Sequence, residues 1–471
     1  MTRPSSIPML VILLTLVGCA VHEPQSRKED VFAETYMQQD ALASKGQVVT
    51  HRWWEMYNDP KLNRLMDRGF AGNLDLAMAW ARLEQARALE DISGASQFPD
   101  VNGNARTGRS QSIPSVSSYQ NHQVSVAASY ELDVWQKLAN ERASASLLRL
   151  ASENDIKAVY VTLSAQIAEA YYLILELRAK VALNKEILEF FEKTVKLVRL
   201  RYERGVVPSL DLYQAKQNLL NARAEMPTFE RDLVVAENSL AVLLGFAPRP
   251  DELSDLATLP DVEETHATGL PSELLARRPD VEAAYSRLQS TDAEVAVAIA
   301  ERFPQFTLTA DYGSRSTDLA DLLQDPNIFW NVLAGVSAPL FDGGRRRANV
   351  RHKEAVFQEQ LARYHLVVIQ AFTDVEDSLA RERGADLRYT ELLAYKEVTA
   401  ATLRLSLERY QLGIDTFLPV LTAQASHSKA LMAVLTAKRT KISSRIQLAR
   451  ALGGTWMVDE MAKRQDGEGD F

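Results

Sequence analysis

Apolar side chains in the middle of the chain return every 3.5 residues. Residues 135–204 contain neither Gly nor Pro. Within them the seam runs Ile156, Tyr160, Leu163, Ile167, Ala170, Ile174, Leu177, Val181, Asn184, Leu188, Phe191, Val195, Val198 and Tyr202, with Asn184 the only polar member. A heptad spacing sustained this long predicts a coiled-coil helix, about 105 Å in length at 1.5 Å per residue. Val159, Leu173, Ile187 and Phe190 begin a second stripe. Two stripes suit a helix with neighbours on both sides, either in a ring or in a large bundle. Gly205-Val206-Val207-Pro208 breaks the pattern, which resumes over 210–244; Gly413 and Pro419 interrupt a later helical stretch in the same way. Two helical hairpins are expected, with tips near 205–210 and 413–419.

Four other stretches alternate with period two. In 121–133, Val124, Val126, Ala128, Tyr130 and Leu132 oppose Gln123, Ser125, Ser129 and Glu131. In 304–313, Phe306, Leu308, Ala310 and Tyr312 oppose Thr307, Thr309 and Asp311, and 329–341 alternates from Trp330 to Leu340. Residues 100–108 show the pattern more weakly. Strands of about ten residues have the length of membrane-barrel strands, although soluble amphipathic hairpins on a core share the pattern. Four strands cannot close a barrel in lipid. If they span a membrane the chain must oligomerise, two copies giving eight strands and three giving twelve with room for a pore.

The chain is written twice. Segment 73–108 matches 278–313 without gaps, sharing Asp75/Asp280, Arg82/Arg287, Phe98/Phe303, Pro99/Pro304 and Gly108/Gly313. Segment 201–245 matches 409–453, sharing Arg201/Arg409, Tyr202/Tyr410, Gly205/Gly413 and Gly245/Gly453. The repeats are placed at 51–270, with a β-hairpin at 100–133, and at 271–454, with a β-hairpin at 304–341. A tail is expected at 455–471.

An apolar run from Ile7 to Val17 follows Arg3. It is too short to span a bilayer and has the shape of a signal-peptide core. It ends Leu16-Val17-Gly18-Cys19, which resembles a bacterial lipobox. The expectation is a signal peptide at 1–18, covalent lipid on Cys19 and a linker at 19–50. Ala20 after the cysteine implies sorting to the outer membrane.

Composition narrows the function. Only 20 Gly and 17 Pro occur in 471 residues, which favours long helices. The net charge of −9 comes without a long basic block, so no nucleic-acid partner is indicated. One cysteine excludes an internal disulfide framework. No HExxH, GxxxxGK or GxSxG motif occurs, and no acid–base or nucleophile constellation recurs in the two halves. Neither an enzyme nor a cofactor beyond the lipid is expected.

Several segments, in order, resemble the TolC-like outer membrane factors, and among them the lipoprotein branch of RND efflux systems, OprM-like or NodT-like. They are Trp53-Trp54 with Tyr57 and Asp59-Pro60; Asn73 to Leu76 leading to Arg87; Tyr130-Glu131-Leu132-Asp133; Leu270 through Arg277-Arg278-Pro279-Asp280; and Pro339-Leu340-Phe341-Asp342-Gly343-Gly344-Arg345. The resemblance implies a mainly α fold with membrane β structure: a homotrimer whose twelve-stranded barrel, four strands per chain, continues as a long periplasmic α-helical barrel. It implies a passive exit duct for drugs or toxic compounds, supplied by an inner-membrane RND pump through a periplasmic adaptor. Type I protein secretion, or a structural coiled-coil lipoprotein of the periplasm, are the competing readings.

By the same resemblance, Gly205, Val206, Gly413 and Ile414 mark the tips where adaptors dock. Many relatives carry an Asp nine residues after the second glycine, as part of an anionic ring at the periplasmic aperture. This chain has Thr422 there. Asp211 and Asp415 are nearby carboxylates, available for a ring at another level or simply solvated. Phe417 and Leu418 either gate the aperture or pack inside the hairpin. Trp53-Trp54 is read as packing in preference to carbohydrate stacking. Arg277-Arg278 invites an anion-site reading, but Pro279 and Asp280 are more simply the first turn of a helix.

Overall fold

The structure, a computed structural model, describes residues 21–25, 52–111, 118–248, 259–260 and 278–466. Cys19, the signal segment and Arg277 lie outside the described residues. The chain divides into two units: Met1–Asp30, Ala81–Asn154 and Val281–Val367 in one, and Val31–Trp80, Asp155–Asp280 and Val368–Phe471 in the other.

The first unit holds the strands β1 (Asp100–Gln111), β2 (Ser118–Leu132), β3 (Gln305–Ser316) and β4 (Ile328–Ser337). They form one antiparallel sheet in the order β1-β2-β3-β4, so β1 and β4 are its open edges. The first hairpin extends beyond the sequence expectation, with Arg109 paired to Gln120 and Gln111 to Ser118; backbone pairing carries on through polar residues once a ladder is established. β4 stops four residues early, before Pro339, which has no N–H to continue a ladder. The register gives two chemically distinct faces. Gly103, Val126, Tyr312 and Trp330 form one cross-sheet row, and Asn102, Ala127, Asp311 and Asn331 the next.

The helix α1 covers Pro60–Gly72, α2 Leu74–Ala95, α3 Lys137–Glu203, α4 Ser209–Leu243 and α5 Pro279–Ala300. They are followed by α6 at Arg345–Gln411 and α7 at Phe417–Leu452. α3 and α6 each have 67 residues, as the internal repeat requires. Each follows a strand through an aspartate cap. Asp133 accepts from the N–H groups of Leu138 and Ala139 at 3.0 and 2.8 Å. Asp342 accepts from those of Gly344 and Arg346 at 3.0 and 3.2 Å. Both carboxylates satisfy backbone donors that a helix start leaves without partners.

Part of the expected linker is docked. Within the first unit His22 Nε2 and the Gln25 N–H meet the buried Asp292 carboxylate of α5 at 2.6 and 2.7 Å.

The seam of α3 behaves as its spacing predicts. Ile156, Ile167, Ile174 and Val198 are fully buried, and Asn184 is buried with its amide donating to the Ala222 carbonyl of α4 at 3.1 Å. The polar seam position is thus satisfied across the hairpin. The end of α4 requires Gly245: its φ is +81° and a Cβ there would lie 1.8 Å from the Gly72 carbonyl oxygen.

Part of the expected tail is helical and packed. Residues Met457–Asp466 form a helix, α8. Trp456 is buried with its ring 4.8 Å from Trp54 at 90°, and Phe70 and Tyr160 join the same aromatic cluster. Such ring pairs add about 0.5–1.5 kcal/mol each beyond area burial. Arg52 closes the cluster with two bonds to Glu460, at 2.9 and 3.0 Å. Trp53 and Trp54 are therefore interior packing, with no face free to stack a sugar.

Candidate functional site

The two hairpin tips are built alike. The Gly205 N–H donates to the Tyr202 carbonyl at 2.8 Å and the Val206 N–H to the Arg201 carbonyl at 2.9 Å. In the second repeat Gly413 donates to Tyr410 at 3.1 Å and Ile414 to Arg409 at 2.9 Å. This is the Schellman pairing, which needs a left-handed residue past the helix end. Gly205 and Gly413 supply it, with φ of +70° and +72°, and nothing lies near a Cβ built on either. Backbone conformation, not crowding, selects glycine here. The side chains that follow, Val206 and Ile414, are exposed, as is Leu412.

Behind the tips the four long helices share one core. Val195 and Val198 of α3, Leu212 and Ala215 of α4, Tyr410 of α6, and Phe417 and Val420 of α7 pack together. Phe417 is 1% exposed and its ring lies 5.3 Å from that of Tyr410. Of the two readings given for it, this is the packing one: its side chain is spent on the hairpin interior. Leu418, the next residue, is 57% exposed. Thr422 is exposed one turn further on, and its hydroxyl donates to the Leu418 carbonyl at 3.1 Å. Leu418 and Thr422 thus share the outer face of α7.

The tip carboxylates have arginine company. Asp415 accepts from Arg409 at 2.5 and 3.2 Å, and that hydrogen bond holds its carboxyl below the usual range. Asp211 lies in the first turn of α4. Its desolvation raises its carboxyl above the usual range, against the opposing charge of Arg201. Arg201 itself donates to the Tyr410 carbonyl at 3.0 Å and stands 4.5 Å over the Tyr410 ring, joining the two tips of one chain. Sequence pairing of Arg201 with Arg409 gave no hint that equivalent arginines take different partners.

The anion-site reading of Arg278 also falls. Its guanidinium is taken up by Asp280 at 2.7 Å, Asp374 at 3.1 Å and the carbonyls of Ala371 and Ala451, each at 3.3 Å. Among the described residues no cluster of three or more His, Cys, Asp or Glu side chains could hold a metal ion.

Two segments of the chain, 65–246 and 270–454, match the sequence profile of the family described as Outer membrane efflux protein. The chain belongs to that family. The family profile thus matches the chain twice, once in each half. The chain is 30% identical over 475 residues to the pyoverdine export outer membrane protein OpmQ of Pseudomonas putida, covering 98% of this chain and 99% of OpmQ. It is 30% identical to the outer membrane protein OprJ of Pseudomonas aeruginosa, covering 97% of each. The open-state MtrE outer membrane channel of Neisseria gonorrhoeae superposes with a TM-score of 0.83 at 27% identity, over 92% of this chain and 97% of MtrE.

As an outer membrane efflux protein, the chain contributes its four strands to a trimeric β-barrel that continues as an α-helical barrel. It is an outer-membrane component of an efflux pump. The faces of the sheet fit that role. The row with Val126, Tyr312 and Trp330 suits lipid, and the row with Asn102, Asp311 and Asn331 suits an aqueous lumen.

Proposed function

We propose that this efflux channel is the passive exit duct of a tripartite pump, gripped at both tips by a periplasmic adaptor. An inner-membrane RND pump supplies drugs or other toxic small molecules. The observation that carries the reading is the doubled tip: two Schellman turns of equal geometry present exposed Val206 and Ile414 at repeat-related positions. Apolar side chains exposed on rigid turns are suited to a partner's helical surface. Family membership in efflux favours this over protein secretion. Leu418 and Thr422 are the groups offered to the aperture, with Asp211 and Asp415 flanking it. Lipid on Cys19 adds a membrane anchor to the barrel's own contact.

The test combines Val206→Asp with Ile414→Asp in cells lacking the native gene. Trimers should still reach the outer membrane, while drug resistance falls to that of the deletion strain. Full resistance with the double variant would overturn tip docking. For the anchor, mass spectrometry of the mature N-terminus should find acylated Cys19, and Cys19→Ser should remove the acyl mass. A mature chain starting elsewhere with a free thiol would sink the lipidation reading.

A further inference from the structure

A cavity of about 640 Å³ opens between the start of β3 and the first turns of α6. Arg302, Arg345, Arg347 and Arg351 line it, with Asp342 and Glu354 the acidic members. All four arginines are exposed; the charge of Arg345 is felt by Asp342, which also draws on Arg346, and no guanidinium hydrogen bond or ion pair is seen for Arg302, Arg347 or Arg351 among the described residues. Asp342 is occupied as the cap of α6 through Gly344 and Arg346, so the helix end is already satisfied and the attraction left over belongs to the side chains.

The position of the cavity says what it meets. β3 begins at Gln305, paired with Ser337, the last residue of β4. Arg302 and the residues after Ser337 therefore leave the sheet at one rim, the rim from which α6 departs. Leu340 and Phe341 precede the Asp342 cap there and are 96% and 93% exposed. Trp135 stacks on Phe303 at 4.8 Å at the same rim. Aromatic side chains mark the two interfaces of a membrane barrel, and clustered arginines beside apolar side chains at that level attract anionic lipid.

We propose that this arginine-lined cavity binds the phosphate-bearing headgroup of an anionic phospholipid in the periplasmic leaflet, with Leu340 and Phe341 against its acyl chains. The site rests on the barrel fold and is independent of cargo, adaptor and tip. It fixes the rim at headgroup depth, beside the aromatic side chains that mark the same level. Zwitterionic lipid has the same acyl chains but lacks the net charge that an excess of four arginines over two acidic residues selects.

The test uses the full-length trimer in detergent, offered dioleoyl phosphatidylglycerol or dioleoyl phosphatidylcholine, with retained lipid counted by native mass spectrometry. Phosphatidylglycerol should be retained in preference. The Arg345→Gln/Arg347→Gln/Arg351→Gln variant should lose that retention by about fivefold per arginine, while Arg199→Gln, exposed on α3, leaves it unchanged. Excess inorganic phosphate should fail to displace the lipid. Equal retention of the two lipids by the wild type, or undiminished retention by the triple variant, overturns the proposal, as does displacement by inorganic phosphate alone. Should the triple variant not assemble, Arg302→Gln alone decides: a loss of phosphatidylglycerol preference supports the site. Unchanged preference in that variant assigns the arginines to carboxylates of a neighbouring chain instead.

Discussion

Phe417 and Leu418 are adjacent and equally apolar, yet one is interior and the other faces out. Successive helical residues point about 100° apart, and α7 turns Phe417 and Val420, with Leu421 beside them, toward the shared core at the tip. Removing the Phe417 ring leaves a cavity that the four helices cannot fill. Phe417→Ala should therefore destabilise the tip by about 3 kcal/mol, and Leu418→Ala by less than about 0.5 kcal/mol. Limited trypsin digestion at the tip arginines reads the difference; faster cutting of the Leu418 variant would reverse the assignment. Sequence could locate the tips, because Gly205 and Gly413 recur at the same place in each repeat. It could not sort Phe417 from Leu418, because a helix start offers no preceding period to phase against. Asp133 and Asp342 stood out only through family resemblance. Their work as caps became legible once strand end and helix start were both fixed.

At the scale of elements, the equal lengths of α3 and α6 follow from the internal repeat, which sets Gly205 and Gly413 at matching positions. α8 was not legible in the sequence. Its ten residues include Asp459, Glu460, Lys463 and Arg464 and follow Gly453-Gly454, so composition reads as a tail. What orders it is remote: the Trp54 ring against Trp456, and Arg52 on Glu460. Burial of Glu460 alone would raise its carboxyl; the hydrogen bonds from Arg52 and Lys463 override that and hold it below the usual range. A depressed folded value means this contribution is present above the unfolded carboxyl value, about 4.3, and is lost as pH falls through the folded value. Acidification should therefore loosen α8 and redden the tryptophan emission of the Trp54–Trp456 cluster in a step below about pH 4.3. Glu460→Gln should abolish that step and leave emission at neutral pH already shifted. An identical acid step in the variant would exclude Glu460 as its origin.

On the scale of the whole molecule, the sheet has two open edges, and lipid does not tolerate unpaired backbone groups. That argument was available from the sequence, but it allowed two copies or three; the number three came from the family. Chemical cross-linking of outer-membrane extracts should therefore stop at trimer, and a predominant dimer would contradict the twelve-stranded barrel.

Trimeric symmetry sets the consequence of the aperture role proposed for Thr422. A group exposed at that aperture is present three times around one axis. Three aspartates there would repel one another and hold cations; three threonines carry no charge, and in this chain each hydroxyl is already turned back on the Leu418 carbonyl. The neighbouring acids are poor substitutes for such a ring: Asp415 is paired with Arg409, and desolvation, only partly opposed by the charge of Arg201, disfavours the charged form of Asp211. Purified trimers in a planar bilayer should then conduct with little block by divalent cations added on the periplasmic side. Thr422→Asp should introduce a strong block, and Thr422→Asn, which adds a polar group without charge, should not. A wild-type channel that is strongly blocked, with the block surviving Asp211→Asn and Asp415→Asn, would place the constriction at a different level of the helical barrel.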